Sequence, residues 1–132
     1  MKKIILAGGC FWGVEAYFKM LRGVTDTQVG YVNGNYANPT YEDVCEEKAT
    51  HAEAVYIEYH EHEITLEKLL EHLFRIIDPT SINKQGHDEG IQYRTGIYYY
   101  DEADRVIAEA FLKKEQQHYR LPIAVELEHE RG

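Results

Sequence analysis

Cysteine is scarce: of 132 residues only Cys10 and Cys45 carry thiols. Two thiols cannot staple a disulfide scaffold, so the expected compartment is a reducing cytoplasm. Basic charge is also short, with 14 Lys and Arg against 23 Asp and Glu and a formal charge of -9. That balance excludes a nucleic-acid backbone as partner, and no basic cluster reverses it. No apolar run approaches the roughly 18 residues of a membrane span. Repeats, linkers and low-complexity tracts are missing, which leaves residues 1–132 as a single domain long enough for a core without staples. The expected substrate is neutral or borne on another protein.

Against these absences, the run Gly9-Cys10-Phe11-Trp12-Gly13 stands out. Two glycines end an apolar stretch, and a helical pattern begins after the cysteine. A cysteine at the first turn of a helix faces unpaired backbone N–H groups and the positive end of the helix dipole, and both favour thiolate. The adjacent aromatics can form an apolar pocket where a weakly polar electrophile meets sulfur. Lys2 and Lys3 followed by an apolar stretch and Cys10 also resemble a lipoprotein signal. The stretch Ile4–Ala7 is four residues, however, against the 7–15 of a working signal.

Periodicity predicts a central strand over 2–7 and a helix from Phe11 with Val14, Phe18 and Leu21 on one face, capped at Gly23. A strand follows over Thr25–Val32, a turn at Asn33-Gly34, and a short helix over Tyr41–Glu47. His51–Tyr59 alternates, Ala52, Ala54, Tyr56 and Glu58 against Glu53, Val55, Ile57 and Tyr59, so both faces are expected to be partly covered. Thr65 caps a helix that Asp78-Pro79 stops. Residues 80–94 have the composition of a long ordered loop. Thr95–Tyr100 is a strand, Asp101 caps a helix with Ala103, Val106, Ile107, Ala110 and Phe111 inward, and Ile123–Leu127 is the last strand. The order β-α-β-β-α-β-α-β points to a two-layer α+β domain with a mixed sheet, its first six elements in the split βαβ arrangement of ferredoxin-like folds.

Gly9-Cys10-Phe11-Trp12-Gly13 resembles the signature of the peptide methionine sulfoxide reductases of the A type. Further segments agree in order: Asn38-Pro39-Thr40-Tyr41, Val44-Cys45, His51-Ala52-Glu53-Ala54-Val55, Asp78-Pro79-Thr80, Gln85-Gly86 and Gln92-Tyr93-Arg94. The likeness runs from about Ile4 to Leu127. It implies a ferredoxin-like fold and reduction of the S epimer of methionine sulfoxide, free or in oxidised proteins, with no bound cofactor.

Sulfoxide reduction needs a soft nucleophile for sulfur, proton donors for oxygen, and a dry slot for the methyl group. Cys10 supplies the first and ends as a sulfenic acid. The resemblance gives the methyl slot to Phe11 and Trp12, although adjacent helical residues cannot share a face and one must leave the core stripe. Glu53 lies among Ala, Val, Tyr and Ile, where lost hydration raises a carboxyl pKa and keeps an acid protonated; the family pattern makes it the proton donor. Tyr41 and Tyr93 stand in matching loop motifs as hydroxyl donors, with Tyr31 a weaker candidate. Asp88 matches an acidic position that organises the site.

Recycling is where the chain departs from the pattern. Many members carry further cysteines near the C-terminus, whereas nothing after Cys45 is cysteine here. Cys45 matches a position that is not normally the resolving one. The expectation is a one-cysteine cycle in which an external thiol (glutaredoxin, glutathione or thioredoxin) reduces Cys10. Thr50 and His87 replace the family's glycine and asparagine, and position 10 is one where the family permits selenium. Two other readings compete: acyl transfer with His51, His87 or His118 as base, and metal binding at His60-Glu61-His62-Glu63.

Overall fold

The structure is a computed structural model that describes residues 1–34, 41 and 50–131. Tyr41 is in helical conformation, while the rest of the Tyr41–Glu47 helix and Cys45 lie outside the described residues.

Strand β1 (Lys2–Gly8) runs through the middle of the sheet. It pairs antiparallel with β3 (Ala52–Tyr59) on one side and with β6 (Thr95–Tyr99) on the other. Being covered on both faces, Ile4, Ile5, Leu6 and Ala7 are all buried, as a continuous apolar run requires. Strand β2 (Val24–Val32) pairs antiparallel with β3, and β7 (Glu126–His129) pairs parallel with β6. The resulting order is β2-β3-β1-β6-β7, a five-stranded mixed sheet. Three α-helices among the described residues join it: α1 (Phe11–Phe18), α2 (Leu66–Ile76) and α3 (Glu102–Gln116).

The helices pack on one face. Alternate strand residues Ile4, Leu6, Val55, Ile57, Tyr59, Ile97 and Tyr99 share a core with Val14, Phe18, Leu69, Leu70, Leu73 and Phe111 of the helices. Residues of the opposite parity, including Ile5, Ala7, Ala54 and Tyr98, form a second, smaller cluster on the other face. The period-2 rule therefore assigns Glu53, in register with Val55 and Ile57, to the helix-covered side.

Several elements differ from the sequence reading. Helix α1 stops at Phe18, and Gly23 (φ 99°) instead carries the turn into β2, where a Cβ would stand 2.7 Å from Ile64 Cγ2. Segment 80–94 contains a two-stranded ribbon, β4 (Lys84–Gln85) and β5 (Asp88–Glu89), followed by a 3-10 turn over Ile91–Tyr93. Helix α3 buries Asp104, Ala108 and Phe111, so of the five residues expected inward only Phe111 is buried; Ala103, Val106, Ile107 and Ala110 face out. The buried face carries Phe111, whose ring meets Phe74 edge-on at 5.1 Å, and Asp104, 3% exposed, which accepts from Lys2 Nζ at 3.0 Å. The last strand starts three residues later than expected, since Ile123 and Ala124 donate their N–H groups to Gln116 Oε1 (2.8 Å) and to the Pro79 carbonyl (2.7 Å) rather than to a ladder.

Arg94 ties the far face together. Its guanidinium donates to the carbonyls of Thr50 (2.9 Å), Ile91 (2.9 Å) and Asn33 (3.1 Å), and Nε lies 3.1 Å from Glu126 Oε2. Glu126 also accepts the buried Tyr98 hydroxyl. Removing a mostly buried cation takes away these contacts and the counter-charge beside Glu126, so Arg94→Met is expected to cost about 3 kcal/mol in chemical denaturation. Arg94→Lys recovers little of it, because a lysine lacks the planar fork.

Candidate active site

The sheet topology gathers the candidate residues at one end. Because β1 is antiparallel to β3 and β6, the end of β1 lies beside the starts of β3 and β6; because β2 is antiparallel to β3, the end of β2 lies there too. Cys10 follows β1, Glu53 begins β3, Tyr31 ends β2, and Tyr93 precedes β6. Residues far apart in the chain, from Cys10 to Tyr93, thus lie toward the same end of the sheet.

Cys10 is the N-cap of α1, half-buried, with φ -58° and ψ 120°, and its side chain makes no capping hydrogen bond. The turn that delivers it passes through Gly9 at φ 91°, left-handed territory that suits glycine. Gly8 has tight surroundings as well: a Cβ there would stand 2.9 Å from Ile77 Cγ2. The two glycines let the chain leave a buried strand and enter a helix within two residues, with sulfur at the mouth.

Glu53 is a buried carboxyl at this end of the sheet. It is 2% exposed, and Oε1 accepts the N–H of Phe11 at 3.2 Å, the residue next to Cys10. Burial, the largest influence, lifts its carboxyl above the ordinary value of 4.5; the Phe11 N–H pulls the other way, and the negative charge of Asp88 adds to the rise. Burial of this kind shifts a carboxyl toward its protonated form.

The two aromatics divide as helical geometry demands. Phe11 is in the core at 6% exposure, while Trp12 is 62% exposed. Their rings meet edge-on at 5.1 Å, and the Tyr31 ring lies 5.5 Å from Phe11. Tyr31 is also the cross-strand partner of Glu53, a proximity that only strand register reveals. Tyr93 is half-buried in the 3-10 turn, and Tyr41 is 60% exposed.

Asp88 is exposed on the ribbon and lines a cleft of about 350 Å³ whose wall includes Cys10, Gly13, Tyr17, Ile76 and Gln85. The aperiodic segment 80–94 is held in place by specific bonds. Asp78 Oδ1 accepts from the Thr80 N–H (3.0 Å) and hydroxyl (2.8 Å), Gly86 turns at φ 62°, and Gly90 donates to the Asn83 carbonyl at 2.8 Å. The motifs Asp78-Pro79-Thr80 and Gln85-Gly86 are the joints of this segment.

The competing readings find other places in the fold. His51 is buried at 1% exposure, its ring packed on Gly34, where a Cβ would stand 2.0 Å from Nδ1. His60–Glu63 forms a hydrogen-bonded turn between β3 and α2. Among the described residues, no three His, Cys, Asp or Glu side chains converge as a metal site, and no helix is long and apolar enough to cross a membrane.

Known proteins share this fold. The family model described as "Peptide methionine sulfoxide reductase" matches residues 2–131. The chain is 58% identical over 127 residues to the peptide methionine sulfoxide reductase MsrA of Clostridium acetobutylicum, covering 96% of this chain and 78% of that protein. Reduced Mxr1 of Saccharomyces cerevisiae superposes with a TM-score of 0.91 at 36% identity, over 99% of this chain and 77% of Mxr1. Mxr1 in complex with Trx2 superposes with a TM-score of 0.74 at 30% identity and the same coverage. Identity over nearly the whole length, on a matching backbone, makes this chain a member of the peptide methionine sulfoxide reductase family, an enzyme that reduces methionine sulfoxide at the expense of thiols.

Proposed function

We propose that Cys10 reduces the S epimer of methionine sulfoxide, free or within oxidised proteins, by direct attack of its thiolate on the sulfoxide sulfur. The observation that carries this reading is the contact between Glu53 and the Phe11 N–H, which sets a buried carboxyl, its pKa raised by burial, beside the nucleophile's own turn. Glu53 gives a proton to the sulfoxide oxygen as the sulfur–oxygen bond breaks. The oxygen passes to Sγ of Cys10 as the Sγ–sulfur bond formed by the attack breaks, its electron pair going to the substrate sulfur, so the substrate gains two electrons, Cys10 loses two, and methionine leaves a sulfenic acid behind. Tyr41 and Tyr93 donate hydrogen bonds to the same oxygen, Asp88 orders the site, and Phe11 with Trp12 receives the methyl group.

An external thiol then attacks the sulfenic sulfur, water departs, and a second thiol breaks the mixed disulfide. Glutathione, glutaredoxin or thioredoxin fits this step; thioredoxin gains support from the Mxr1–Trx2 complex. Within the 132 residues the other thiol is Cys45, and the cycle proposed is a one-cysteine cycle in which Cys45 takes no part. The chain functions as one domain in the cytoplasm, repairing oxidised proteins. The strand order β2-β3-β1-β6 supports assignment to the ferredoxin-like class: β1 and β2 are parallel with β3 inserted between them.

The test is stoichiometric. Purified protein incubated with S-sulfoxide and no reductant is expected to release one equivalent of methionine and to gain one oxygen, trapped by a sulfenic-acid reagent. Absence of methionine from folded protein removes the reading, and a Cys10–Cys45 disulfide in its place removes the one-cysteine cycle. Trp12→Ala is expected to raise KM for sulfoxide by about tenfold with little change in melting temperature, since the lost indole is mostly exposed. An unchanged KM would count against the slot.

A further inference from the structure

Ribbon β4–β5, which carries Asp88, has only two residues in each strand. A two-stranded hairpin is marginal by itself, so its position over Cys10 depends on ties to the rest of the fold. Gln85 supplies an unusually complete one. Its Oε1 accepts the Asp78 N–H at 2.8 Å while its Nε2 donates to the Asp78 carbonyl at 2.8 Å. Asp78 lies just beyond α2 and is itself held by Thr80. The aliphatic part of Gln85 rests on the nucleophile's turn: a Cβ on Gly9 would stand 2.9 Å from Gln85 Cβ and 3.2 Å from its Cγ. In register, Gln85 is the cross-strand partner of Asp88, and both line the cleft beside Cys10.

We propose that Gln85 is a positioning residue for the reaction: its amide, locked onto the main chain of Asp78, presses the ribbon against Gly9 and so holds Asp88 in place beside Cys10. This rests on the role given to Asp88 above. The bond pair uses the amide's donor and acceptor together, which neither a carboxylate nor a thioether can reproduce. A ribbon shifted by about 1 Å misplaces Asp88 at a cost of about 10- to 100-fold in rate.

The experiment is a double-mutant cycle on the full chain, with Gln85→Met, Asp88→Asn and the pair, read by single-turnover methionine formation, KM and melting temperature. Gln85→Met keeps the packing on Gly9 and removes both bonds to Asp78. It is expected to lower the rate by about tenfold or more while KM stays within about twofold, and to change the Asp88→Asn rate by less than about twofold. Gln85→Glu, which keeps the acceptor and loses the donor, is expected to show the same dependence on Asp88 and stands in if the methionine variant does not fold. A Gln85→Met rate equal to wild type overturns the proposal, as do losses that multiply independently. Wild-type rate in Asp88→Asn alone removes Asp88 from the site and overturns the proposal with it, while attack by Cys10 and proton donation by Glu53 are judged by their own variants.

Discussion

Serine in place of Cys10 is expected to lower single-turnover sulfoxide reduction by about a thousandfold or more. The chemistry explains why a near-isostere fails. The atom that attacks sulfur must also accept the oxygen and give up two electrons, which a thiolate does by becoming a sulfenic acid. A hydroxyl oxygen has no comparable oxidised state, and at neutral pH it is scarcely ionised. Stability moves the other way. Cys10 is the N-cap of α1 with no side-chain capping bond, and serine is among the preferred N-cap residues, so folding is expected to hold or improve by about 0.5 kcal/mol. Activity and fold are therefore separable in one variant. A Cys10→Ser protein within tenfold of wild type would end the assignment.

Glu53→Gln has the second largest expected effect, a fall of about 10²- to 10⁴-fold in the single-turnover rate, the usual worth of a general acid. The amide still accepts the Phe11 N–H, so geometry is kept while the transferable proton is lost. The wild-type rate should carry a limb that declines as pH rises through the raised pKa of Glu53, and this limb should be missing from the variant. Stability gives an independent reading with a defined sign. The folded carboxyl titrates above its unfolded value of 4.5, so the folded state binds more protons between those two values. Stability falls with rising pH across that window and stays lower above it. Removing the acid removes the penalty, so Glu53→Gln is expected to gain stability relative to wild type as pH rises above 4.5, measured by denaturation at several pH values. Full activity in this variant would sink the proton-donor role.

Stability and the proposed role thus pull against each other at Glu53. A core-facing strand position next to Val55 and Ile57 would fold better with an apolar residue. The carboxyl is tolerated because one hydrogen bond from Phe11 partly compensates it. The residue breaks the local rule at the position proposed to supply the proton.

Parity and motif together make Glu53 legible in the amino-acid sequence. Alternation over 52–59 places it in one column with Val55 and Ile57, and the cysteine at a strand-to-helix turn is readable from Gly9 and the helical spacing of Phe11, Val14 and Phe18. The inward face of α3 is not legible, because Ala103, Val106, Ile107 and Ala110 form an apolar stripe as regular as the one that is buried. Long-range contacts mark the buried face, Lys2 with Asp104, 102 residues apart, and Phe74 with Phe111. Nor can composition reveal the ribbon in 80–94, since its order comes from Gln85 bonding Asp78 and from Gly86, not from any hydrophobic period. Tyr31 ranks low in sequence for a related reason, its claim resting on register with Glu53.

By itself the amino-acid order determined the candidate reacting groups and the local geometry that presents them: a thiol at a helix start, an acid of core parity, a soft apolar neighbourhood. Local periodicity carries that information because each residue's face is set by its immediate neighbours in the chain. Which aromatic turns outward, which side of α3 is buried, and how Cys10 comes to lie beside a carboxyl whose hydrogen bond spans 42 residues were decided only by tertiary structure. Those outcomes depend on strand pairing and buried charge, and such long-range contacts leave no period in the sequence to read.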